Sequence, residues 1–486
     1  MSERFIVPAS QGNSTRGDPG EERERRVTDL LEGNMPEAPN SETMCTQQQR
    51  IAERATRSPE LGFTSLAHLI DLEWLHRAYQ RTRPDGAAGV DGQTAADYEV
   101  DLLGNLQSLL DRAKAGTYRA PPVRRAHIPK GDSTTETRPI GIPTFEDKVL
   151  QRAVVMVLET IYEQDFLDCS YGFRPGRSAH QALEALWRQT TALGGCWILE
   201  VDIRKFFDTL DQAQLRELLT QRVRDGVLLR LIGKWLKAGV QEDGSLTFPE
   251  TGTPQGGVVS PLLANVYLHY VLDVWFEREV KPRLRGRAFL IRYADDFVMG
   301  FACEEDARKV LDVLPKRFGK YGLTLHPDKT RLVPFHRPPS QKPPRGTPGA
   351  ARPGTFDLLG FTHYWGRSWR GFWVVKRRTA QGRLSRALKT ITQWCRLNRH
   401  QPLAVQHQTL GHKIRGHYTY YGITGNALSL QWFREGVVRI WKKWLSRRRR
   451  RGFLSWATFN RLLKRYPLPA VVVVHSVYRR VSKPVT

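Results

Sequence analysis

Apolar residues recur every three or four positions in several segments after residue 60, which predicts amphipathic helices. These segments are 65–82, 97–116, 151–166, 178–191 and 304–322. Residues 1–60 are polar and charged without a sustained apolar period, so we expect a mostly disordered tail there.

Alternating apolar and polar positions mark the start of the segment 196–210 as a strand that then runs into a helix. Its apolar residues fall on one side, while Glu200 and Asp202 share the other. The segment 356–365 predicts another strand, and the Pro-rich stretch 336–355 predicts an exposed loop or insertion. Helices and strands mixed in this way predict an α+β fold.

Residues 291–300, IRYADDFVMG, form two apolar strands joined by a turn that carries Asp295 and Asp296. Adjacent carboxylates repel each other and are costly to bury unpaired. If this hairpin pairs with the strand of Asp202, three carboxylates converge, and oxygen ligands of this kind select Mg²⁺ or Mn²⁺. Two such ions about 4 Å apart can clamp the attacking and leaving oxygens of a phosphoryl transfer. An ordinary acidic turn in solvent is the alternative.

The net charge of +26 comes entirely from the C-terminal quarter of the chain. Residues 361–486 contain 27 Lys and Arg against one acid, Glu435, whereas residues 1–360 contain 48 of each sign. Eight of the 13 tryptophans also lie in this quarter. Lys and Arg side chains mixed with flat aromatic rings suit a nucleic acid, whose phosphates bind the positive charges and whose unpaired nucleobases stack on the rings. We therefore expect a nucleic-acid partner, and a solvated basic face is the alternative.

The five cysteines are scattered and include no CxxC pair, which predicts a reduced protein without disulfides or a cysteine zinc site. No apolar run approaches the roughly 20 residues that a membrane span needs, and the N-terminus lacks the apolar region of a signal peptide. We therefore expect a cytoplasmic protein with no membrane partner, associated with the nucleoid when it acts on DNA.

Eight sequence blocks resemble those of a known family. IRYADDFVM matches the YxDD signature of reverse transcriptases, and EVDIRKFFDTL, GTPQGGVVSPLLANVYLH, GLTLHPDKTRL and DLLGFTHY stand around it in that family's order. RPIGIPTFEDKVLQ, YGFRPGRSAHQAL and the earlier GAAGVDG resemble reverse transcriptases encoded by bacterial group II introns in particular. The resemblance covers roughly residues 64–365.

The resemblance implies a right-hand polymerase, with fingers and an antiparallel palm sheet over residues 61–365. Residues 366–450 resemble the α-helical thumb/maturase domain of those proteins, and residues 451–486 a short basic DNA-binding tail. Many family members continue into a Cys-rich endonuclease domain. The cysteine spacing here does not match that domain, so we expect no second-strand nicking.

The function implied by the resemblance is RNA-directed DNA polymerisation combined with maturase activity. Such a protein binds its group II intron RNA to assist splicing and copies it into DNA during intron mobility. The implied partners are intron RNA, an RNA template with a DNA primer, target DNA and dNTPs, and the implied cofactor is a pair of Mg²⁺ ions, with Mn²⁺ as a possible substitute. A domesticated reverse transcriptase in defence or repair and a binding-only splicing maturase are the alternatives.

The resemblance also assigns roles at the carboxylate cluster. It implies that Asp202 and Asp295 hold both ions and that Asp296 contributes less directly, while Ile203 offers its backbone carbonyl to the second metal. Phe207 stands where the family places an aromatic ring that blocks a 2′-hydroxyl, which selects dNTPs over rNTPs. A core position for both Phe206 and Phe207 is the alternative.

Five further residues match positions that contact nucleotide or primer. Lys130 and Arg138 match basic residues that contact the triphosphate, and Lys329 matches a basic residue near the triphosphate. Gln255 matches a residue that contacts the incoming nucleotide. Gly360 matches a position where the primer approaches the backbone closely. The alternatives are solvated loop bases for the first two, a Pro/Gly turn for Gln255, a surface lysine for Lys329 and a strand bulge for Gly360.

Basic residues of the C-terminal quarter are the candidates for RNA contact. The run at 447–451 is interpreted as a phosphate clamp, with a frayed basic helix as the alternative. The candidates are Lys413, Arg415, Lys442, Lys443, Arg447, Arg448, Arg449 and Arg450.

Because the excess charge lies in one region, RNA binding should release many counterions. We expect the RNA affinity, measured by filter binding in a salt series, to fall steeply as salt rises. A flat response would mean that the C-terminal charge does not bind the RNA backbone.

Overall fold

The structure, a computed structural model, describes residues 41–129, 137–248, 252, 256–339, 354–448 and 453–476. The α-helices in these ranges are α1 (Ser41–Arg57), α2 (Leu72–Gln80), α3 (Ala95–Glu99), α4 (Leu102–Ala115), α5 (Phe145–Asp165), α6 (Ala179–Leu193), α7 (Phe206–Thr209), α8 (Gln212–Thr220), α9 (Gly226–Leu236), α10 (Ser260–Leu268), α11 (Glu304–Lys320), α12 (Gln381–Leu397), α13 (Leu403–Tyr421), α14 (Ala427–Ser446) and α15 (Trp456–Arg465). After α10 the helical path continues through two π-helical segments, His269–Asp273 and Trp275–Val280.

The strands are β1 (Val123–Pro129), β2 (Thr137–Ile142), β3 (Gly195–Asp202), β4 (Val240–Glu242), β5 (Ser245–Thr247), β6 (Ala288–Tyr293), β7 (Asp296–Phe301), β8 (Arg331–His336), β9 (Phe356–Leu358), β10 (Phe361–Arg367) and β11 (Trp373–Thr379). They form three sheets with the strand orders β2-β1-β4-β5, β6-β7-β3-β8 and β11-β10-β9. Every pairing in the second of these, which we call the central sheet, is antiparallel. The mixed α+β class expected from the sequence is therefore confirmed.

Both faces of the central sheet are covered. Leu199 and Val201 of β3 belong to the largest hydrophobic cluster, which also contains the buried face of α5. Cys196 and Ile198, on the opposite face, pack in a second cluster with residues of β9, β10 and β11. Apolar residues of β3 are therefore buried on both faces, and Glu200 and Asp202 near its end are partly exposed.

Two helices differ from the sequence prediction because aspartates cap them internally. The segment 65–82 contains a short 3₁₀ helix at Ala67–Leu69 and becomes α-helical only at Leu72, where the side chain of Asp71 accepts a hydrogen bond from the Trp74 N–H. The segment 97–116 is divided between α3 and α4, and Asp101 caps the second of these helices. Aspartate favours helix N-termini over helix interiors, and the apolar period alone does not register this preference.

The expectation of a mostly disordered tail over residues 1–60 is wrong for its last part. Residues 41–57 form α1, and Ala55 on this helix is buried. The guanidinium of Arg222 fixes the helix end by donating to the Ala55 carbonyl at 3.0 Å and the Ser58 carbonyl at 2.8 Å. Residues 1–40 lie outside the described ranges, as do residues 340–353 of the Pro-rich segment.

The C-terminal helices α12–α15 enclose a hydrophobic cluster of their own. Phe459 of α15 and Leu468 beyond it are buried in this cluster. The parallel bridge between Ile423 and His475 fixes the chain further on. The described part of residues 451–486 is thus packed into the helical region, which differs from the expected separate tail. Among the described residues, no helix has the length and apolarity to cross a membrane.

Candidate functional site: a carboxylate cluster on the central sheet

The register of the central sheet places the catalytic candidates together. Asp202, the last residue of β3, is the direct partner of Asp296, the first residue of β7. Directly opposed residues of antiparallel strands project their side chains on the same face. Asp295 occupies the turn that precedes Asp296. The structure therefore brings all three carboxylates to one end of the sheet, as the sequence predicted.

The turn that carries Asp295 is a tight two-residue hairpin, Ala294–Asp295. Ala294 has φ +56°, a left-handed conformation that is unfavourable for a residue with a Cβ. Gly172, in the block YGFRPG, lies directly behind this turn, and a Cβ on it would come within 2.4 Å of the Ala294 nitrogen. A glycine is therefore required there for the segment to pack against the turn.

The buried guanidinium of Arg292 fixes the strained turn from inside the protein. It donates to the Ala294 carbonyl at 3.1 Å and to a carboxylate oxygen of Asp273 at 2.8 Å. Asn265 and Ser170 accept its remaining hydrogen bonds at 2.9 and 2.8 Å. Arg292 and Asp273 are both fully buried. Burial lowers the pKa of Arg292, but the attraction of Asp273 outweighs it and the net pKa is raised. The arginine therefore stays charged.

The carboxylates at the turn destabilise each other's ionised forms. Asp296 is exposed at the start of β7, yet desolvation by the surrounding atoms together with the charges of Asp295 and Asp202 raises its pKa to about 7. Desolvation also raises the pKa of Asp295, while the charge of Arg138 acts in the opposite direction. The backbone N–H of Leu359 donates to Asp296 and favours its ionised form. This end of the sheet thus carries negative charges whose mutual repulsion a cation would reduce.

A lysine already supplies part of this positive charge. The Nζ of Lys329 lies 2.8 Å from a carboxylate oxygen of Asp202, which puts this predicted triphosphate contact directly at the cluster. Within the described residues, no three His, Cys, Asp or Glu side chains stand in an arrangement that holds a metal ion by itself. Mg²⁺ typically takes one or two carboxylates and completes its shell with water and substrate phosphates. The oxygen donors therefore fit Mg²⁺ as part of a shell that the substrate completes.

The structure separates the two phenylalanines that strand parity could not separate. Phe206 is buried against Tyr267, at a ring-centroid distance of 6.4 Å, whereas Phe207 is partly exposed. The Ile203 side chain is buried, and its peptide lies where Asp202 and Arg204 hydrogen-bond to the segment 324–326. Phe207 nevertheless packs against the same hydrophobic cluster as Phe206, so its role in sugar selection stays a prediction.

Two glycines that flank Gln255 lie close to other parts of the chain. Gly252 has φ +84°, and a Cβ on it would come within 2.6 Å of the Phe207 carbonyl. A Cβ on Gly256 would lie 2.4 Å from the Gly141 carbonyl on β2, the strand that also carries the exposed Arg138. Gln255 and Lys130 themselves lie outside the described residues.

Gly360 occupies a hairpin turn and not a strand bulge. β9 and β10 pair in regular register up to Leu358 and Phe361, so Leu359 and Gly360 form a two-residue turn. Their φ angles are +51° and +79°. The bulge alternative is therefore wrong. The Leu359 N–H that contacts Asp296 places this turn beside the carboxylates.

The basic side chains predicted to bind RNA differ in their exposure to solvent. Arg415, Lys443 and Arg447 are exposed, whereas Lys413 and Arg448 are partly buried, Arg448 donating to the His400 and Gln401 carbonyls at 3.2 Å. Arg449 and Arg450 lie outside the described residues.

Lys442 departs from the expectation of an open RNA contact. It is only 7% exposed, and its ammonium lies 4.5 Å from the ring centroid of Phe453 and 4.7 Å from that of Trp456. Cation–π attraction to these rings keeps the charge within the helical region. We therefore correct this assignment to a packing role.

The partners of Arg292 were not found from the sequence. The available signal was an arginine inside the apolar strand FLIRYA, since a charge in a buried strand requires a partner. Ser170, Asn265 and Asp273 are 122, 27 and 19 residues away, and no local period connects them to Arg292.

Comparison with known proteins identifies the class of this fold. Residues 128–363 match the family model described as reverse transcriptase (RNA-dependent DNA polymerase). Protein YkfC of Escherichia coli strain K12 is 34% identical over 325 residues, covering 59% of this chain and 83% of that protein. The chain therefore belongs to the reverse transcriptase family, as its sequence blocks indicated.

Other relatives point to introns. Group II intron-encoded protein LtrA of Lactococcus lactis subsp. cremoris is 36% identical over 284 residues, covering 55% of this chain and 46% of LtrA. Nuclear intron maturase 2, mitochondrial, of Arabidopsis thaliana is 29% identical over 195 residues, covering 32% of this chain and 25% of that protein. The chain thus spans about half of LtrA, and the resemblance to group II intron proteins is confirmed.

Removing the buried partner of Arg292 should destabilise the fold strongly. We expect Asp273→Ala to lower the free energy of unfolding by about 3–5 kcal/mol, because it leaves a buried charge unpaired. Urea denaturation followed by circular dichroism measures this loss.

Glu277→Ala is the matched control, because it removes one member of a partly exposed ion pair with Lys281 on the same helical path. It should cost less than about 1 kcal/mol. Equal losses in the two variants would contradict the role of the buried pair.

Proposed function

We propose that the chain is an RNA-directed DNA polymerase of the group II intron type, built as a right hand, that also acts as a maturase. In this proposal the central sheet is the palm, the sheet containing β1 and β2 belongs to the fingers, and α12–α15 form the thumb/maturase region. The observation that carries the proposal is the in-register pairing of Asp202 with Asp296 beside the Asp295 turn.

Asp202 and Asp295 would hold two Mg²⁺ ions, with Asp296 in support and with the Ile203 carbonyl on the second ion. When bound, the ions activate the 3′-hydroxyl of a DNA primer and neutralise charge on the triphosphate. The Lys329 ammonium, which donates to Asp202, could then donate to a phosphate of the substrate instead. Arg138, whose charge already reaches Asp295, would bind the triphosphate from the fingers side.

The residues around the cluster would position the substrates. The Phe207 carbonyl lies beside the backbone of Gly252, three residues before Gln255, so a nucleotide bound near Phe207 would also be close to Gly252. The Leu359–Gly360 turn lies beside Asp296, where a primer end would lie.

The C-terminal region supports the maturase part of the proposal. It carries all of the chain's excess positive charge, and three of its predicted RNA contacts, Arg415, Lys443 and Arg447, are exposed. Arg447 lies over the Trp444 ring at 5.0 Å, a pair that can present charge and an aromatic face together. The proposed partners are group II intron RNA, an RNA template with its DNA primer, target DNA and dNTPs.

A binding-only maturase is the weaker alternative. Such a protein has no use for neighbouring carboxylates that raise the pKa of Asp296, or for a strained turn that requires a buried ion pair. Without a cation to bind, these features only destabilise the fold.

Loss of one metal ligand should abolish catalysis without removing RNA binding. We expect Asp295→Ala to lower primer extension on an RNA template with Mg²⁺ by on the order of a hundredfold or more. RNA affinity should stay nearly unchanged, since the basic helices are intact. The matched control is Asp328→Asn, an exposed carboxylate in the neighbouring HPDKT block, which should extend primers normally. Undiminished synthesis by Asp295→Ala would refute the metal assignment.

Phe207 should set the choice of sugar. We expect Phe207→Ala to raise rNTP incorporation relative to dNTP incorporation by about tenfold or more, because a smaller side chain admits the 2′-hydroxyl. Single-nucleotide insertion kinetics with both substrates measures the ratio, and Phe207→Tyr, which keeps the ring, should retain the discrimination. An unchanged ratio in Phe207→Ala would remove this role.

A further inference from the structure

The hairpin of β10 and β11 ends in an aromatic and basic tip, Arg367–Trp373, that the assignments above leave unused. Trp369 at this tip is 88% exposed and Phe372 is 64% exposed. Rings of this size usually bury most of their surface, so two of them standing in solvent within four residues mark a binding surface.

Arginine side chains lie on the rings of this tip. The Arg370 guanidinium is 4.7 Å from the Trp369 ring centroid, and that of Arg367 is 4.6 Å from the Trp373 ring centroid. From residue 361 to residue 379 the chain carries five Lys or Arg residues and no acid. A partner that fits this tip must offer flat apolar faces together with negative charge.

The tip is rigid, so presenting these rings costs little entropy. Seven paired residues join β10 to β11, ending at Arg367 opposite Trp373. Beyond them, Gly371 has φ +82° and donates to the Ser368 carbonyl at 3.0 Å, while the Ser368 N–H donates to the Phe372 carbonyl at 2.7 Å. Arg367 also donates to the Gly371 carbonyl at 2.8 Å. A preorganised surface of this kind binds with a smaller ordering cost.

The other end of the same hairpin lies at the carboxylate cluster. β10 starts directly after Gly360, whose turn contacts Asp296 through the Leu359 N–H. Seven strand residues of about 3.3 Å each separate that turn from the tip, which gives roughly 23 Å. A nucleic acid strand of roughly seven stacked nucleotides covers the same distance.

We propose that the tip binds single-stranded RNA, with unpaired bases stacking on Trp369 and Phe372 and the neighbouring phosphates contacting Arg370. This inference rests on the proposed function, because it takes the chain to be a polynucleotide-binding protein. Unpaired strands fit better than duplexes because the bases of a duplex already stack on one another.

The test measures binding of the full-length protein to a fluorescent 12-nucleotide oligo(rA), without Mg²⁺ or dNTPs, by fluorescence anisotropy. Trp369→Ala combined with Phe372→Ala should weaken binding by roughly tenfold or more, because stacking on both rings is lost. Trp369→Tyr should retain most of the affinity, since it keeps a ring. Val100→Ala, which truncates an 88%-exposed apolar residue far along the chain, is the matched control and should bind normally.

Salt dependence separates stacking from charge. The doubly substituted protein keeps every basic residue, so the slope of log affinity against log salt should match that of the wild type. Arg370→Ala should reduce the slope by about one unit. Oligo(dA) and a blunt RNA duplex form the other arms, and a loss confined to the two single strands supports base stacking.

Equal affinity of the doubly substituted and wild-type proteins for oligo(rA), or an equal loss on the duplex, would overturn the proposal. Circular dichroism and the melting temperature should be unchanged, because both rings are exposed. If the wild type binds single strands but fails to extend primers, the proposed polymerase function fails while the tip assignment is still decided by binding. If the wild type extends primers and the substitutions leave binding unchanged, only the tip assignment fails.

Discussion

Repulsion among three carboxylates at one end of the central sheet is the constraint on which the rest of the structure depends. Asp202 and Asp296 are fixed opposite each other by strand register, so neither can move away without breaking the sheet. The adjoining turn holds Asp295 through a left-handed alanine, and the buried Arg292–Asp273 pair supports that turn. This rigid placement concentrates negative charge at one end of the sheet, and the hydrogen bonds behind the sheet stabilise it.

Several sequence blocks of the family acquire a physical meaning from this arrangement. The glycine of YGFRPG lets a chain segment pack directly against the catalytic turn. The asparagine of LLANVYLH donates to the Gly172 carbonyl at 2.7 Å and also accepts from Arg292, so it joins that segment to the buried arginine. The lysine of HPDKT donates a hydrogen bond to the Asp202 carboxylate. Blocks that are far apart in the chain therefore form one hydrogen-bonded unit around the hairpin of Asp295.

The excess positive charge lies in a different part of the chain from the three carboxylates. Residues 1–360, which carry the carboxylates, are balanced in charge, whereas residues 361–486 carry the entire excess. Chemistry at the sheet depends on charges within a few ångströms of the substrate, while binding a polynucleotide depends on many phosphate contacts summed over a surface. The hairpin of β10 and β11 physically joins the two, because one end lies at Asp296 and the other carries exposed Trp369.

The sequence by itself determined the family, the α+β class, the three carboxylates and the location of the charge, because short motifs and composition carry these directly. Only the tertiary structure decided that Phe206 is fully buried while Phe207 is partly exposed, that Lys442 is packed between rings, and that Gly360 lies in a turn. It also placed Ser170 and Asp273 on Arg292 and buried the C-terminal Phe459 in the helical core. Periodicity reports which face of an element is apolar, but which distant residue covers that face is settled by packing in three dimensions.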